Sequence, residues 1–205
     1  MTNAQYQAFI DDGGYTEQWR RCWTAAGWTW KGDRRGPKRY GGVFDLPNHP
    51  VVGVTWYEAV AFCKWLSVKS GRQVSLPIEA QWEKAARGTD GRRYPWGQEI
   101  TPNHANYWDT GIHATSAVGV FPKGESPLWL ADAAGNVWEL TATKKLSDYQ
   151  KYAPDDLLEG DARYTLRGGS WNLNDSYVRC ARRVILDPFS RLNFVGFRLV
   201  CHKMV

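Results

Sequence analysis

The chain has 205 residues, enough for one sizeable core, and its twelve Trp with 30 Gly and Pro suit loop-rich structure pinned by large aromatic rings. Its formal net charge is +5, with no run of five or more Lys/Arg, which argues against a nucleic-acid partner or a polybasic membrane patch. No run of about 18 apolar residues occurs, which excludes a transmembrane helix and direct membrane insertion, and no signal peptide opens the chain.

Thr2-Asn-Ala-Gln5 has capping-box spacing, with Tyr6 and Phe9 behind it on one face, and predicts a helix over about 3–11. A chain that begins at a helix start implies a segment upstream. Residues 12–50 are rich in Gly, Trp and Arg without a period and read as irregular structure. Asn48-His49-Pro50 predicts an extended lead-in, because the residue before proline is pushed out of the helical region. Thr55-Trp-Tyr-Glu58 is a second capping box. Ala59, Phe62, Cys63 and Leu66 then mark the buried face of a helix that Gly71 closes. A third helix, residues 79–87, should pack through Trp82, Ala85 and Ala86. Beyond Gly88 helical periodicity is lost, and residues 89–205 read as short strands alternating with turns. The fold class is therefore α+β with its helices early, as one domain over residues 1–205.

The four cysteines, Cys22, Cys63, Cys180 and Cys201, form no C-x-x-C pair, so neither a metal finger nor a disulfide-dense scaffold is expected. Cys63 reads as a buried thiol; a Cys180–Cys201 pairing stays open. His49, His104, His113 and His202 are scattered, so a three-histidine iron site would have to assemble from distant loops. Ser170 follows two glycines but lacks the G-x-S-x-G elbow of a nucleophile. Arg167, Arg179, Arg183, Arg191 and Arg198 are expected to fork onto backbone carbonyls and carboxylates.

Six blocks carry a family resemblance, in order along the chain. They are Pro50-Val-Val-Gly-Val-Thr-Trp56-Tyr-Glu-Ala59, Leu76-Pro77-Ile-Glu79-Ala-Gln-Trp82-Glu-Lys-Ala85-Ala86-Arg87-Gly88, Tyr94-Pro-Trp-Gly97, Asn106-Tyr-Trp108, Gly135-Asn-Val-Trp-Glu139 and Leu166-Arg-Gly-Gly-Ser-Trp171 with Gly196-Phe-Arg-Leu-Val200. Together they resemble the formylglycine-generating-enzyme (sulfatase-modifying factor) family. The resemblance implies that family's C-type-lectin-like fold, although the family's usual opening strands before Thr2 are absent. Catalytic members carry two copper-binding cysteines after Arg-Gly-Gly-Ser; here those positions are Leu173 and Val178, and neither supplies the thiolate that ligates metal. No redox cofactor is expected. Asn136 and Glu139, with the carbonyls of Gly135 and Val137, resemble one of the family's structural calcium sites, and Asn106 and Tyr107 the start of a second. Oxygen donors of these kinds suit a hard cation.

A second resemblance covers residues 167–200. A frame of Arg, Gly, Trp and Pro encloses filler positions, as in diversity-generating-retroelement variable proteins. In that family an error-prone reverse transcriptase rewrites codons by replacing adenines of a template repeat. The rewritten codons are mostly asparagine codons, which cannot become Trp, Met, Lys, Glu or Gln. The fillers are Asn172, Leu173, Asn174, Asp175, Ser176, Tyr177, Arg182, Val184, Ile185, Leu186, Asp187, Phe189, Ser190, Leu192, Asn193, Phe194 and Val195. None is one of those five types, which make up roughly a fifth of the chain. Chance would leave these positions clean roughly once in 30–40 trials. Their apolar members, exposed together, would form a binding surface, with Ile185 and Val195 the candidates for plain core.

The resemblance implies a non-catalytic protein that recognises a protein or other macromolecular ligand through a hypervariable surface. The alternative is a metal-dependent oxidoreductase of the formylglycine-generating-enzyme family with atypical ligands. A third reading is a structural partner of a larger enzyme, fixed at the same surface. The sequence sets neither cellular location nor oligomeric state.

Overall fold

Two reciprocal caps start the principal helices. Thr2 Oγ1 accepts the Gln5 amide while Gln5 Oε1 accepts that of Thr2, opening α1 (Asn3–Asp11). Thr55 and Glu58 do the same for α3 (Trp56–Ser70), which ends on left-handed Gly71. A computed structural model describes residues 1–145 and 163–202.

The expectation that residues 12–50 are irregular needs correction. They contain a 3₁₀ turn at Glu17–Cys22 and a helix, α2 (Ala25–Lys31), capped by Thr24 Oγ1 accepting the Gly27 amide at 3.0 Å. The buried residues of α2 are Gly27 and Lys31. A glycine and a lysine on the inner face are invisible to a count of apolar residues, so the period went unread.

The helix α4 (Glu79–Arg87) buries Trp82 and Ala86, with Ala85 half-buried. Among the described residues, 89–137 contain only two short 3₁₀ turns and a Tyr94–Gly97 bridge, so the strands start later than expected. A four-stranded sheet then follows the order β4 (Arg183–Leu186), β3 (Tyr164–Arg167), β2 (Trp138–Lys144), β5 (Val195–Phe197). β4–β3 and β3–β2 are antiparallel and β2–β5 is parallel. A separate ribbon pairs β1 (Val74–Ser75) with β6 (Val200–Cys201).

The main core lies between α1, α3 and this sheet. Tyr6, Phe9, Phe62 and Phe197 pack there, and Trp56 stacks on Tyr164 at 3.8 Å while donating its indole N–H to Thr141. Cys22, Cys63 and Cys180 are buried, Cys201 is exposed, and all four are free, so the Cys180–Cys201 pairing does not form. No helix among the described residues is long and apolar enough to cross a membrane.

Candidate functional site

Two loops leave the sheet beside one another, residues 168–182 between β3 and β4, and 187–194 between β4 and β5. Gly168 and Gly169 turn the first away from β3 with φ of 99° and 74°. A Cβ on Gly169 would stand 2.6 Å from Val178 Cγ1 and 2.8 Å from the Tyr177 carbonyl, so a side chain is barred by both conformation and space.

The frame arginines act as braces. Arg167, 2% exposed, donates to Glu79 at 3.1 Å, to Glu83, and to the carbonyls of Cys180 at 2.8 Å and Ala181 at 3.3 Å. Arg183 pairs with Glu79 at 3.1 Å. Arg191 reaches the Gly36 carbonyl at 3.0 Å and the fully buried Glu58 at 2.8 Å. Burial pushes the Glu58 carboxyl up, and Arg191 opposes that shift. Arg179 donates to the Ser176 carbonyl at 2.8 Å. These are the forked backbone and carboxylate contacts expected from the sequence.

What the scaffold grips in the fillers is their carbonyls. Trp108 N–H donates to Leu173, Gly53 N–H to Leu192 and Trp138 N–H to Phe194, at 2.9, 3.0 and 2.9 Å. Tyr94 Oη donates to the Asp175 carbonyl at 3.3 Å and Trp171 Nε1 to that of Asn193 at 3.4 Å. Every amino acid offers that carbonyl, so these bonds are independent of which side chain a filler carries.

Eight of the seventeen fillers meet around one hollow of about 250 Å³. Asn172, Leu173, Tyr177, Val184, Leu186, Leu192, Phe194 and Val195 line it, with Trp138 and Leu166 from the sheet. Phe189, 53% exposed, and Ile185, 38% exposed, stand outside it with Asn174 and Asp187, while Asp175, Ser176, Ser190 and Asn193 are half-buried. Arg182 lies 4.5 Å over the Tyr177 ring. Two placements separate residues that the sequence held together as candidates for plain core. Ile185 faces solvent, whereas Val195, 1% exposed and paired with Trp138 in β5, is core and not a surface contact. Trp138 and Leu166 were missed as site residues because apolar strand residues read simply as packing. Only the loops folding over the sheet edge bring them into the hollow.

The remaining candidates separate. Leu173 lines the hollow, but Val178 is fully buried beside Tyr94, Ala105, Tyr107 and Ala134. Cys180 packs against Trp82, Ala86 and Ala133, and burial pushes its thiol up to about 12. His49 bonds Thr115, His104 stacks on Trp96, His113 meets Trp108 and His202 bonds Ser75. Among the described residues no three of His, Cys, Asp and Glu cluster closely enough to hold a metal ion. Ser170 Oγ bonds Asn172, an ordinary turn contact.

The calcium expectation at Asn136, Val137 and Glu139 does not fit this arrangement. Asn136 Oδ1 accepts the Ser116 amide at 3.0 Å and its Nδ2 donates to the Ser116 carbonyl at 3.1 Å. Glu139 accepts from Trp82 Nε1 and from both Arg198 Nε and Nη2. The guanidinium of Arg198 thus supplies the positive charge that a cation would bring. In the second expected site, Asn106 Oδ1 is buried with no donor among the described residues, while Asp109, the nearest acid in sequence, is exposed.

Comparison with known proteins matches residues 1–203 to the family "Sulfatase-modifying factor enzyme 1-like domain". Hercynine oxygenase of Mycobacterium tuberculosis is 35% identical over 225 residues, covering 97% of this chain and 50% of that protein. The protein named inactive C-alpha-formylglycine-generating enzyme 2 of Bos taurus is 40% identical, covering 77% of this chain and 52% of that protein. The chain therefore spans about half the length of the curated relatives it matches. Among solved structures, Treponema denticola variable protein 1 superposes with a TM-score of 0.65 and 25% identity, covering 84% of this chain and 80% of that one. The chain belongs to the sulfatase-modifying-factor family, with its C-type-lectin-like α+β fold.

Proposed function

We propose that this family member is a non-catalytic binding protein whose face at residues 172–194 recognises a macromolecular ligand, a protein in the first instance, and varies between sister copies. The observation that carries this reading is the carbonyl grip. Two loops whose side chains converge on one apolar hollow are held through main-chain atoms that substitution leaves unchanged. Preorganised loops lower the entropic cost of association, and large apolar or aromatic side chains on them act as anchors. Phe189 would be the outer anchor, while the hollow accepts an apolar group of the ligand against Leu186, Leu192 and Phe194.

The likeness to a variable protein of Treponema denticola supports binding over chemistry, as does the absence of thiols at Leu173 and Val178. Sequencing the flanking DNA tests the proposal. A near-copy of codons 167–200 with asparagine codons at the filler positions, beside a reverse-transcriptase gene, is the expected result. Its absence, with identical filler residues in sister copies, defeats diversification.

A second reading follows from the enzymes among the relatives: an oxidoreductase using iron or copper through ligands outside the sequence pattern. Stoichiometric iron or copper in the purified protein, together with oxygen consumption, would establish it and overturn the binding role.

A further inference from the structure

The positive charge of this chain is concentrated in a single segment. Residues 20–39 contain seven Lys/Arg and one acid, Asp33, a local net of +6, which leaves −1 for the other 185 residues of a chain whose total is +5. Glycines and tryptophans interrupt the segment, so it holds no run of five or more Lys/Arg. The segment lies outside the variable face.

Part of it walls a hollow of about 530 Å³ between the end of α1 and the turn after α2, with Lys31, Arg34 and Arg35 among the residues that line it. Lys31 is 7% exposed and has no carboxylate partner among the described residues. Its Nζ donates to the Gly32 carbonyl at 2.7 Å and sits 4.6 Å over the Trp28 ring, leaving further N–H donors without a protein acceptor there. Arg34 spends one nitrogen on the carbonyls of Trp30 and Lys31, and Arg35 makes no ion pair among the described residues. Asp33 lines the same hollow and also forms no ion pair there. A buried ammonium without a counter-charge is costly unless something supplies one.

We propose that this hollow binds a small phosphate-bearing molecule, its phosphate held by Lys31, Arg34 and Arg35 and its body lying against Ile10 and Tyr15. Guanidinium forks and an ammonium match phosphate oxygens. Three cations against one carboxylate call for an anion of at least two charges. The volume exceeds that of a bare phosphate, which leaves space for the organic part.

Calorimetric titration of the whole chain with inorganic pyrophosphate at low ionic strength tests the site. One saturable equivalent is expected, weakened at least about tenfold by Arg35→Gln or Lys31→Met and by raising the salt. Acetate should not compete, and Phe189→Ala should bind pyrophosphate as the parent does. Arg35 is exposed, so its replacement leaves the fold intact if Lys31→Met does not. No saturable binding, equal binding by folded Arg35→Gln, or equal affinity for acetate would overturn the proposal.

Discussion

Replacing Arg167 by Met tests whether the frame holds the loops as described. Methionine keeps the length and apolar stem but removes a guanidinium that is 2% exposed and joins two glutamates to two loop carbonyls. Breaking a buried ion pair costs about 3–5 kcal/mol. Here the lower end applies, because Glu79 keeps Arg183 at 3.1 Å and Glu83, whose side chain is 34% exposed, can take water. The uncompensated groups are the carbonyls of Cys180 and Ala181. For a domain of this size about 3 kcal/mol corresponds to a melting temperature lower by roughly 6–12 °C. Arg167→Lys should fall in between, since it restores the charge but not the fork. Thermal unfolding followed by circular dichroism, with urea titration for the free energy, measures both. A loss below about 1 kcal/mol for Arg167→Met would refute the view that this residue braces the first loop.

Three further outcomes follow from the same structure. Phe189→Ala and Ile185→Ala, both exposed, should change stability by no more than about 0.5 kcal/mol, whereas Val195→Ala removes buried carbon and should cost about 1.6 kcal/mol or more. Equal effects in urea unfolding would remove the distinction between display and core positions. Under native conditions a thiol reagent should modify Cys201 alone, with Cys22, Cys63 and Cys180 reacting only in denaturant; Cys180, its thiol held up to about 12 by burial, is the decisive site. His49, buried against Thr115, has its pKa lowered below the ordinary 6.5 by desolvation. Because the unfolded state takes the proton first, stability should be full above pH 6.5 and decline as pH falls through the folded pKa. His49→Gln should flatten that decline, and an unchanged profile in the variant would assign it to other groups.

Helices whose signals are local were legible in the sequence: Thr2 and Thr55 with their partners three residues on, and the glycine at 71. α2 was not, because its inner face carries Gly27 and Lys31, and its tryptophans gave no period. The apolar fillers and the arginine frame could be recognised in one dimension, as could the missing thiols at 173 and 178. Their assignment to rim, wall or core could not be. Ile185 and Val195, both candidates for plain core, part company once strand pairing fixes which side of the sheet each faces, and that register is a long-range property. The pairing of the expected calcium ligands is long-range in the same way. Asn136 and Glu139 have suitable oxygens, but the partner that claims Glu139 is Arg198, 59 residues away.

The carbonyl grip also bears on how such a chain could be improved as a binder. In most cores a new side chain is judged first by whether the protein still folds, and affinity is judged only among survivors. Here the bonds to Leu173, Asp175, Leu192, Asn193 and Phe194 run to main-chain oxygens, so a random exchange leaves them in place, and at Asp175 and Asn193, which lie outside the hollow, it starts from nearly the same folded population as its parent. A pool of such chains can be sorted by what it captures rather than by what stays soluble. The exception is the shared hollow, where one oversized side chain must be matched by a smaller neighbour. Improvement there should therefore come from paired changes, and at Phe189 and Ile185 from single ones.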